Sequence, residues 1–309
     1  MITFDAHGTA TLTPHAGLVD ALRAAAIEVS TGAITCPQRQ VIPMAAGGVL
    51  LSMIAVGSDL AVHKLVTFVP NNPRRQLPTI QGQVSVWDTR SGSHLLTLDG
   101  ATVTARRTAA LSMLGVSALL PVRPKSFRIF GTGMQARHHI EAIAQLYPKA
   151  TISVTGRTAA AGAEFCAACA ELSALLSPAR SAADDDEIDV VISCTTSQEP
   201  VYELPAQRGR LIIATGSFTP AAAEIGAATV RGSRIYVDDL DAARVEAGDL
   251  IRADIDWQAV QPLAQRLRGG AAPDGAVLFK TVGHAAWDLA AARVAVDCWA
   301  THSPRPAGS

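Results

Sequence analysis

The chain has 309 residues, 49% of them hydrophobic and 17% charged, with 26 Lys plus Arg against 27 Asp plus Glu for a formal net charge of -1. That composition supplies ample core material and excludes a disordered or collagen-like chain. A near-neutral balance with only 5% aromatic residues lacks both the basic footprint and the stacking rings of a nucleic-acid binder.

The N-terminus, MITFDAHG, shows no basic region followed by an apolar run, so no secretory leader is read there. The apolar stretch Val49–Val56 is far shorter than the roughly 20 residues a spanning helix needs. The expectation is a cytoplasmic protein with neither nucleic acid nor membrane as partner. Cys36, Cys166, Cys169, Cys194 and Cys298 are odd in number and scattered, which is no disulfide framework. Cys166 and Cys169 lie inside an alanine-rich run and read as helix packing rather than a zinc or redox pair. His138 and His139 are adjacent, so on a helix they point roughly 100° apart and cannot easily share an ion. No metal site is expected.

In chain order, residues 14–30 predict an amphipathic helix, followed by strand-like segments near Gln40 and over 48–55, 64–69 and 83–88. Turns rich in Pro, Asn and Gly separate these segments, and a helix is expected over 101–114, which makes the first part α+β with hairpin-like connections. From residue 126 the pattern changes to apolar strands alternating with helices. Strands are expected over 126–130, 151–155, 188–193, 210–215 and 234–238, with a helix over 159–176 and an acidic turn at Asp184-Asp185-Asp186-Glu187. Such alternation predicts a parallel sheet covered on both faces, a Rossmann-type doubly wound α/β fold. A last helix is expected over 285–299, before a polar tail that should fray.

The motif Gly131-Thr132-Gly133-Met134-Gln135-Ala136 follows a predicted strand and opens a predicted helix. The first glycine permits the tight turn, the second admits a pyrophosphate to the backbone, and the small third residue lets helix and strand pack closely. The helix N-terminus then offers N–H groups and a positive dipole end to the phosphates. After the next strand stands Gly156-Arg157-Thr158, with no acid to accept from the adenosine ribose. Arg157 suits a 2′-phosphate instead, so NADPH is the expected cofactor, with NADH possible. Arg39, Lys64, Arg106 and Arg107 are cations in apolar or small-residue surroundings, and arginine is the side chain suited to a bidentate grip on a carboxylate. Arg106 and Arg107 are neighbours, so only one can face a given pocket, and the expectation leaves Arg106 on the flank or in solvent.

Six segments in order, HKLVTFVPNNP from His63, LDGATVTARRTAALS from Leu98, FGTGMQA from Phe130, VISCTTSQEPVY from Val191, ATGSFTPAAAEI from Ala214 and FKTVGHAAWDLAAARV from Phe279, resemble motifs of the ornithine cyclodeaminase and mu-crystallin family. The resemblance implies a Rossmann dinucleotide-binding domain over 119–278. It also implies an α+β substrate-binding and dimerisation domain, made of 1–118 and rejoined by 279–309, in a homodimer. By the same resemblance Lys64 stands at the substrate amino or imino group, and Arg107 grips its carboxylate with Arg39 as a second contact. These residues carry the catalytic and substrate-binding expectations. Thr104 and Thr108 flank Arg107. Cofactor binding falls to Gly131, Gly133, Met134, Gln135, Ala136, Arg157 and Thr158, with Thr195, Thr196 and Ser197 bordering the nicotinamide ribose.

One position departs from the cyclodeaminases, which place an acidic catalytic residue between the glycine and proline of Gly216-Ser217-Phe218-Thr219-Pro220. Cyclodeamination needs a group to manage the proton of an amine, and the phenyl ring of Phe218 cannot do so. The segments GSFTPAAAEI, VEAGDL and FKTVGHAAWDL look more like the Δ1-pyrroline-2-carboxylate reductases of the family. The resemblance therefore implies NADPH-dependent reduction of small cyclic imino acids in proline metabolism, pyrroline-2-carboxylate first and piperideine-2-carboxylate second. Ornithine cyclodeamination, amino-acid dehydrogenation and a non-catalytic binder of the mu-crystallin kind are the alternatives.

Overall fold

The computed structural model describes residues 2–179 and 187–302. The chain divides into two compact units, 1–107 with 284–309 and 108–283. The boundaries expected at 118/119 and 278/279 differ from these because one continuous helix carries the chain across the first of them.

The first unit opens with α1 (Ala6–Leu12), capped by the Asp5 carboxylate, and α2 (His15–Ser30). Leu18, Leu22, Ala25 and Ala26 form the buried stripe of α2 at the three- and four-residue spacing of an amphipathic helix. A five-stranded antiparallel meander follows in the order β1 (Gln40–Pro43), β2 (Val49–Val56), β3 (Leu60–Phe68), β4 (Ile80–Asp88) and β5 (His94–Asp99). Along β3 the buried residues alternate as Leu60, Val62, Lys64 and Val66, the two-residue period of a strand with one covered face. Lys64 thus occupies a core position in an otherwise aliphatic row. From β5 the chain enters α3 (Gly100–Leu119).

The second unit carries an eight-stranded sheet with all pairings parallel. Chain order runs β6 (Ser126–Phe130), α4 (Met134–Leu146), β7 (Thr151–Thr155), α5 (Ala159–Ala168), β8 (Leu176–Pro178), β9 (Val190–Ser193) and β10 (Leu211–Ala214). Then come α6 (Ala227–Arg231), β11 (Arg234–Val237), α7 (Leu240–Glu246), α8 (Gly248–Arg252), β12 (Gln261–Pro262), α9 (Leu263–Leu267) and β13 (Val277–Lys280). Across the sheet the order is β8-β7-β6-β9-β10-β13-β11-β12. The first five strands therefore follow the doubly wound 3-2-1-4-5 pattern, and the strand order reverses at the switch point between β6 and β9. β9, β10 and β13 are buried along their whole length, which is why VVIS, LIIA and VLFK read as nearly continuous apolar runs. The last helix, α10 (Ala285–His302), returns to the first unit and packs against α2, β2 and β3.

Several expectations need correction. The helix expected over 159–176 ends at Ala168, where the Cys169 N–H closes it, and Leu176 belongs to β8 beside β7. Cys166 and Cys169 are buried free thiols. α1, β5, α6, α7, α8, β12, α9 and β13 had no counterpart in the sequence reading. Asp184, Asp185 and Asp186 of the acidic turn and residues 303–309 of the tail lie outside the described residues. Among those residues, no helix is long and apolar enough to cross a membrane.

Candidate functional site

In the first unit, α3 and α10 bring charged side chains to the covered face of the antiparallel sheet. Lys64, on β3, places Nζ 2.7 Å from Asp288 Oδ2 in the first turn of α10. Arg107, on α3, places Nε 3.5 Å from Asp288 Oδ1, too far for a normal N–H···O hydrogen bond. Asp288 is fully buried, and the Lys64 and Arg107 side chains are only 3% and 7% exposed. Arg107 Nε has no hydrogen-bond partner among the described residues, an unusual state for a buried guanidinium. Burial pushes the Lys64 ammonium down to about 8; Asp288 opposes that shift, while Arg107 and then Arg39 add to it. Arg39, half-buried just before β1, therefore acts on the same lysine. The structure brings Lys64, Arg107 and Arg39 into one electrostatic cluster and adds a carboxylate that the sequence reading had not singled out.

Arg106 does not lie on the surface as expected. It is 3% exposed, and its Nε donates to the Thr13 carbonyl at 2.9 Å and to Thr13 Oγ1 at 3.1 Å. Neighbouring positions on a helix diverge, but here both directions lead to buried partners.

In the second unit, the glycine motif joins β6 to α4. Gly131 has φ +124°, and a Cβ there would stand 2.8 Å from the Cys194 carbonyl oxygen, so a side chain is excluded both by backbone and by space. Gly133 is the N-cap of α4 with no side chain capping the helix, and a Cβ there would meet nothing within 4 Å. Open space above an uncapped helix N-terminus is what a dinucleotide pyrophosphate requires. Ala136 is buried, Gln135 is half-buried, and Met134 is exposed. The residues present therefore fit a dinucleotide.

After β7, Arg157 is exposed and Thr158 caps α5, its hydroxyl accepting from Ala161 N. No acidic side chain takes the adjacent Gly156 position. After β9, Thr196 is exposed, whereas Thr195 is committed to the framework: its N–H and hydroxyl both donate to Glu224 Oε1, at 2.6 and 2.9 Å. The Ser197 N–H reaches Thr195 Oγ1 at 3.2 Å and its hydroxyl donates to the Glu199 carbonyl.

Glu224 organises this edge of the sheet. Oε1 also accepts from Ser193 Oγ at 2.6 Å, and Oε2 accepts from the N–H groups of Gly216 and Ser217 at 2.6 and 3.1 Å. Asp249 holds the backbone of Glu224 and Ile225 through Oδ1, and its Oδ2 lies 2.8 Å from the buried Lys280 Nζ. Lys280 in turn donates to the Ser217 carbonyl at 2.6 Å. A buried carboxylate with five donors ties together the loops that follow β9 and β10. Phe218 follows directly, half-buried, with no carboxylate of its own to offer. Glu224, Asp249, Lys280 and Asp288 all fell inside segments quoted only for their family resemblance. The signal that could have marked them is a lone charge within an apolar run, as in VLFK and AAWDLAAA.

The switch point between the parallel neighbours β6 and β9, where the strand order reverses, together with a glycine turn at the head of α4, defines the second unit as a Rossmann-type dinucleotide-binding unit. The chain belongs to the ornithine cyclodeaminase/mu-crystallin family, whose sequence pattern matches residues 5–303. It is 49% identical over 294 residues to Δ1-pyrroline-2-carboxylate reductase 2 of Burkholderia ambifaria, covering 95% of this chain and 94% of that protein. It is 48% identical over 297 residues to the Δ1-pyrroline-2-carboxylate/Δ1-piperideine-2-carboxylate reductase of Azospirillum brasilense, covering 96% of each. Among solved structures, the Thermococcus litoralis Δ1-pyrroline-2-carboxylate reductase in complex with NADH and L-proline superposes with a TM-score of 0.90, at 25% identity and 98% coverage of both chains.

Proposed function

We propose that this protein is an NADPH-dependent reductase of small cyclic imino acids, converting Δ1-pyrroline-2-carboxylate to proline and Δ1-piperideine-2-carboxylate to pipecolate. The observation that carries the reading is near-half identity, over 95% of the chain, to a reductase of that name. The buried cation cluster supports it, because such substrates present a carboxylate next to the reacting C=N bond. NADPH rather than NADH is favoured by Gly156 and exposed Arg157, which offer a 2′-phosphate a cation and the ribose no acid.

When bound, the reduced nicotinamide supplies a hydride, two electrons and one hydrogen nucleus, to the imine carbon. The protein's own residues bind and orient. Arg107 and Arg39 hold the carboxylate, and a guanidinium fork fixes the angle as well as the position of the group it grips. Lys64 supplies positive charge and hydrogen bonding near the imino nitrogen. That nitrogen carries one added proton when the carbon accepts hydride, so the product is the neutral ring amine before it takes up a further proton. On the nucleotide side, Gly131, Gly133 and Ala136 shape the phosphate turn, while Thr196 and Ser197 border the ribose on loops that Glu224 braces.

A homodimer through the first unit belongs to the same reading. The outer face of its sheet carries Ile42, Ile54, Val56 and Leu65, between 37% and 49% exposed and on one face by strand register. An apolar patch of that kind favours burial against a second copy. Light scattering of the purified protein reads that state. Loss of NADPH absorbance with pyrroline-2-carboxylate, and proline as the product, tests the activity. No turnover with either ring size would overturn it.

A further inference from the structure

Lys64 and Arg107 are two buried cations sharing one buried carboxylate, and Arg39 adds a third positive charge to their surroundings. A single carboxylate cannot neutralise them, so the cluster is net positive while Lys64 is protonated. Burying uncompensated charge is costly, and the side chain that can relieve the cost is the one able to lose its proton. Arginine cannot do so; lysine can. Asp288 sits in the first turn of α10, at the positive end of the helix dipole.

We propose that Asp288 is the positioning residue of the substrate cluster: its carboxylate keeps Lys64 charged and aligned beside Arg107, leaving the net positive charge that an anionic imino acid neutralises. This rests on the functional reading above and deepens it, because it makes substrate binding proton-linked. A bound carboxylate supplies the missing negative charge and strengthens the hold of Lys64 on its proton; deprotonation of Lys64 weakens the hold on the carboxylate. The groups that set this balance are Asp288 from α10, Arg107 from α3 and Arg39 before β1; on β3 itself, His63 turns to Ser52 on β2 at 2.9 Å.

The chain has four lysines, Lys64, Lys125, Lys149 and Lys280, so the side-chain carbon resonances of selectively labelled lysine can be followed singly through a pH titration of the intact protein. The Lys64 signal, assigned by its loss in Lys64→Arg, is expected to titrate near 8. Asp288→Asn should lower that midpoint by about one pH unit or more, and the alkaline limb of kcat/KM should move down with it. Asp288→Glu keeps the charge and should preserve a midpoint near that of the unaltered protein, which guards against a folding defect in the asparagine variant. An unchanged Lys64 midpoint in Asp288→Asn would overturn the proposal. The titration needs no turnover, so a shifted midpoint in a protein that reduces no imino acid would sink the functional reading and leave the role of Asp288 standing.

Discussion

Replacing Arg106 by alanine separates a fold-holding arginine from the one proposed to hold the substrate on the same helix. Arg106 is 3% exposed, and its Nε–H is shared between the carbonyl and the hydroxyl of Thr13, which closes α1. Truncation removes a charge-assisted hydrogen bond, about 1.5–3 kcal/mol, and leaves the Thr13 carbonyl short of one donor in a dry environment. The lost contacts of the buried stem add to this, so about 3 kcal/mol of stability should go. With urea slopes of roughly 1–3 kcal/mol per molar, the midpoint should fall by about 1 M or more. Urea unfolding followed by circular dichroism reads that shift, and steady-state reduction of pyrroline-2-carboxylate reads the catalytic effect under folding conditions. KM for the imino acid should change little in the folded Arg106→Ala protein. Arg107→Ala should show the opposite pattern, with a small stability change and kcat/KM down by a hundredfold or more, about 3 kcal/mol at the transition state. If Arg106→Ala unfolds at the wild-type urea concentration yet fails to bind the imino acid, the assignment of the two arginines is reversed.

Arg157→Ala should weaken NADPH by about tenfold to a hundredfold and leave NADH nearly unchanged, and equal affinity for both cofactors in the unaltered protein would refute the 2′-phosphate role. Ornithine should release no ammonia at rates comparable to imine reduction, and Phe218→Asp alone should not create that activity, since nothing around it was built to orient a carboxylate; an ammonia assay decides both. Glu224→Gln keeps the shape but replaces one acceptor oxygen by a donor facing N–H groups, so cofactor affinity should drop and the melting temperature should fall, by about 2–4 kcal/mol of stability. Burial of Lys64 lowers its folded pKa from 10.5 to about 8, so the unfolded chain binds more protons across that interval and stability from this lysine should rise as pH climbs through it, by at most about 3 kcal/mol. Urea unfolding against pH, compared with the non-titrating Lys64→Arg, would show no difference in slope if the lysine were exposed.

Legibility in the sequence followed the physics of each element. β6, β7, β9 and β10 were readable because strands buried on both faces are continuous apolar runs, and the glycine turn was readable because its spacing is dictated by a pyrophosphate. β13 was hidden for an opposite reason: Val277-Leu278-Phe279-Lys280 ends on a lysine that looks like a surface terminus, yet Lys280 is wholly buried against Asp249 and the Ser217 carbonyl. The end of α5 was missed because its alanine-rich pattern continues past Ala168, and only pairing with β7 makes Leu176 a strand residue. Lys64 could be placed by motif, but its partner Asp288 lies more than two hundred residues away in sequence, a separation that no local pattern bridges.

That distant carboxylate also explains why burial alone cannot tell the two arginines apart. Both are almost inaccessible, at 3% and 6%, so exposure would assign them the same role. Their partners differ. Arg106 Nε donates to a backbone carbonyl, whereas Arg107 Nε has no hydrogen-bond partner among the described residues and stands 3.5 Å from Asp288. A buried donor left without an acceptor costs about 1–3 kcal/mol, and a fold tolerates that cost most readily where a ligand later supplies the acceptor. On the proposed function the same free energy appears twice with opposite signs, as a deficit in the free protein and as affinity for a carboxylate. On the proposed function, ligand-induced stabilisation therefore depends on Arg107 rather than on Arg106, because Arg107 Nε is a buried donor still without an acceptor whereas Arg106 Nε already donates to Thr13.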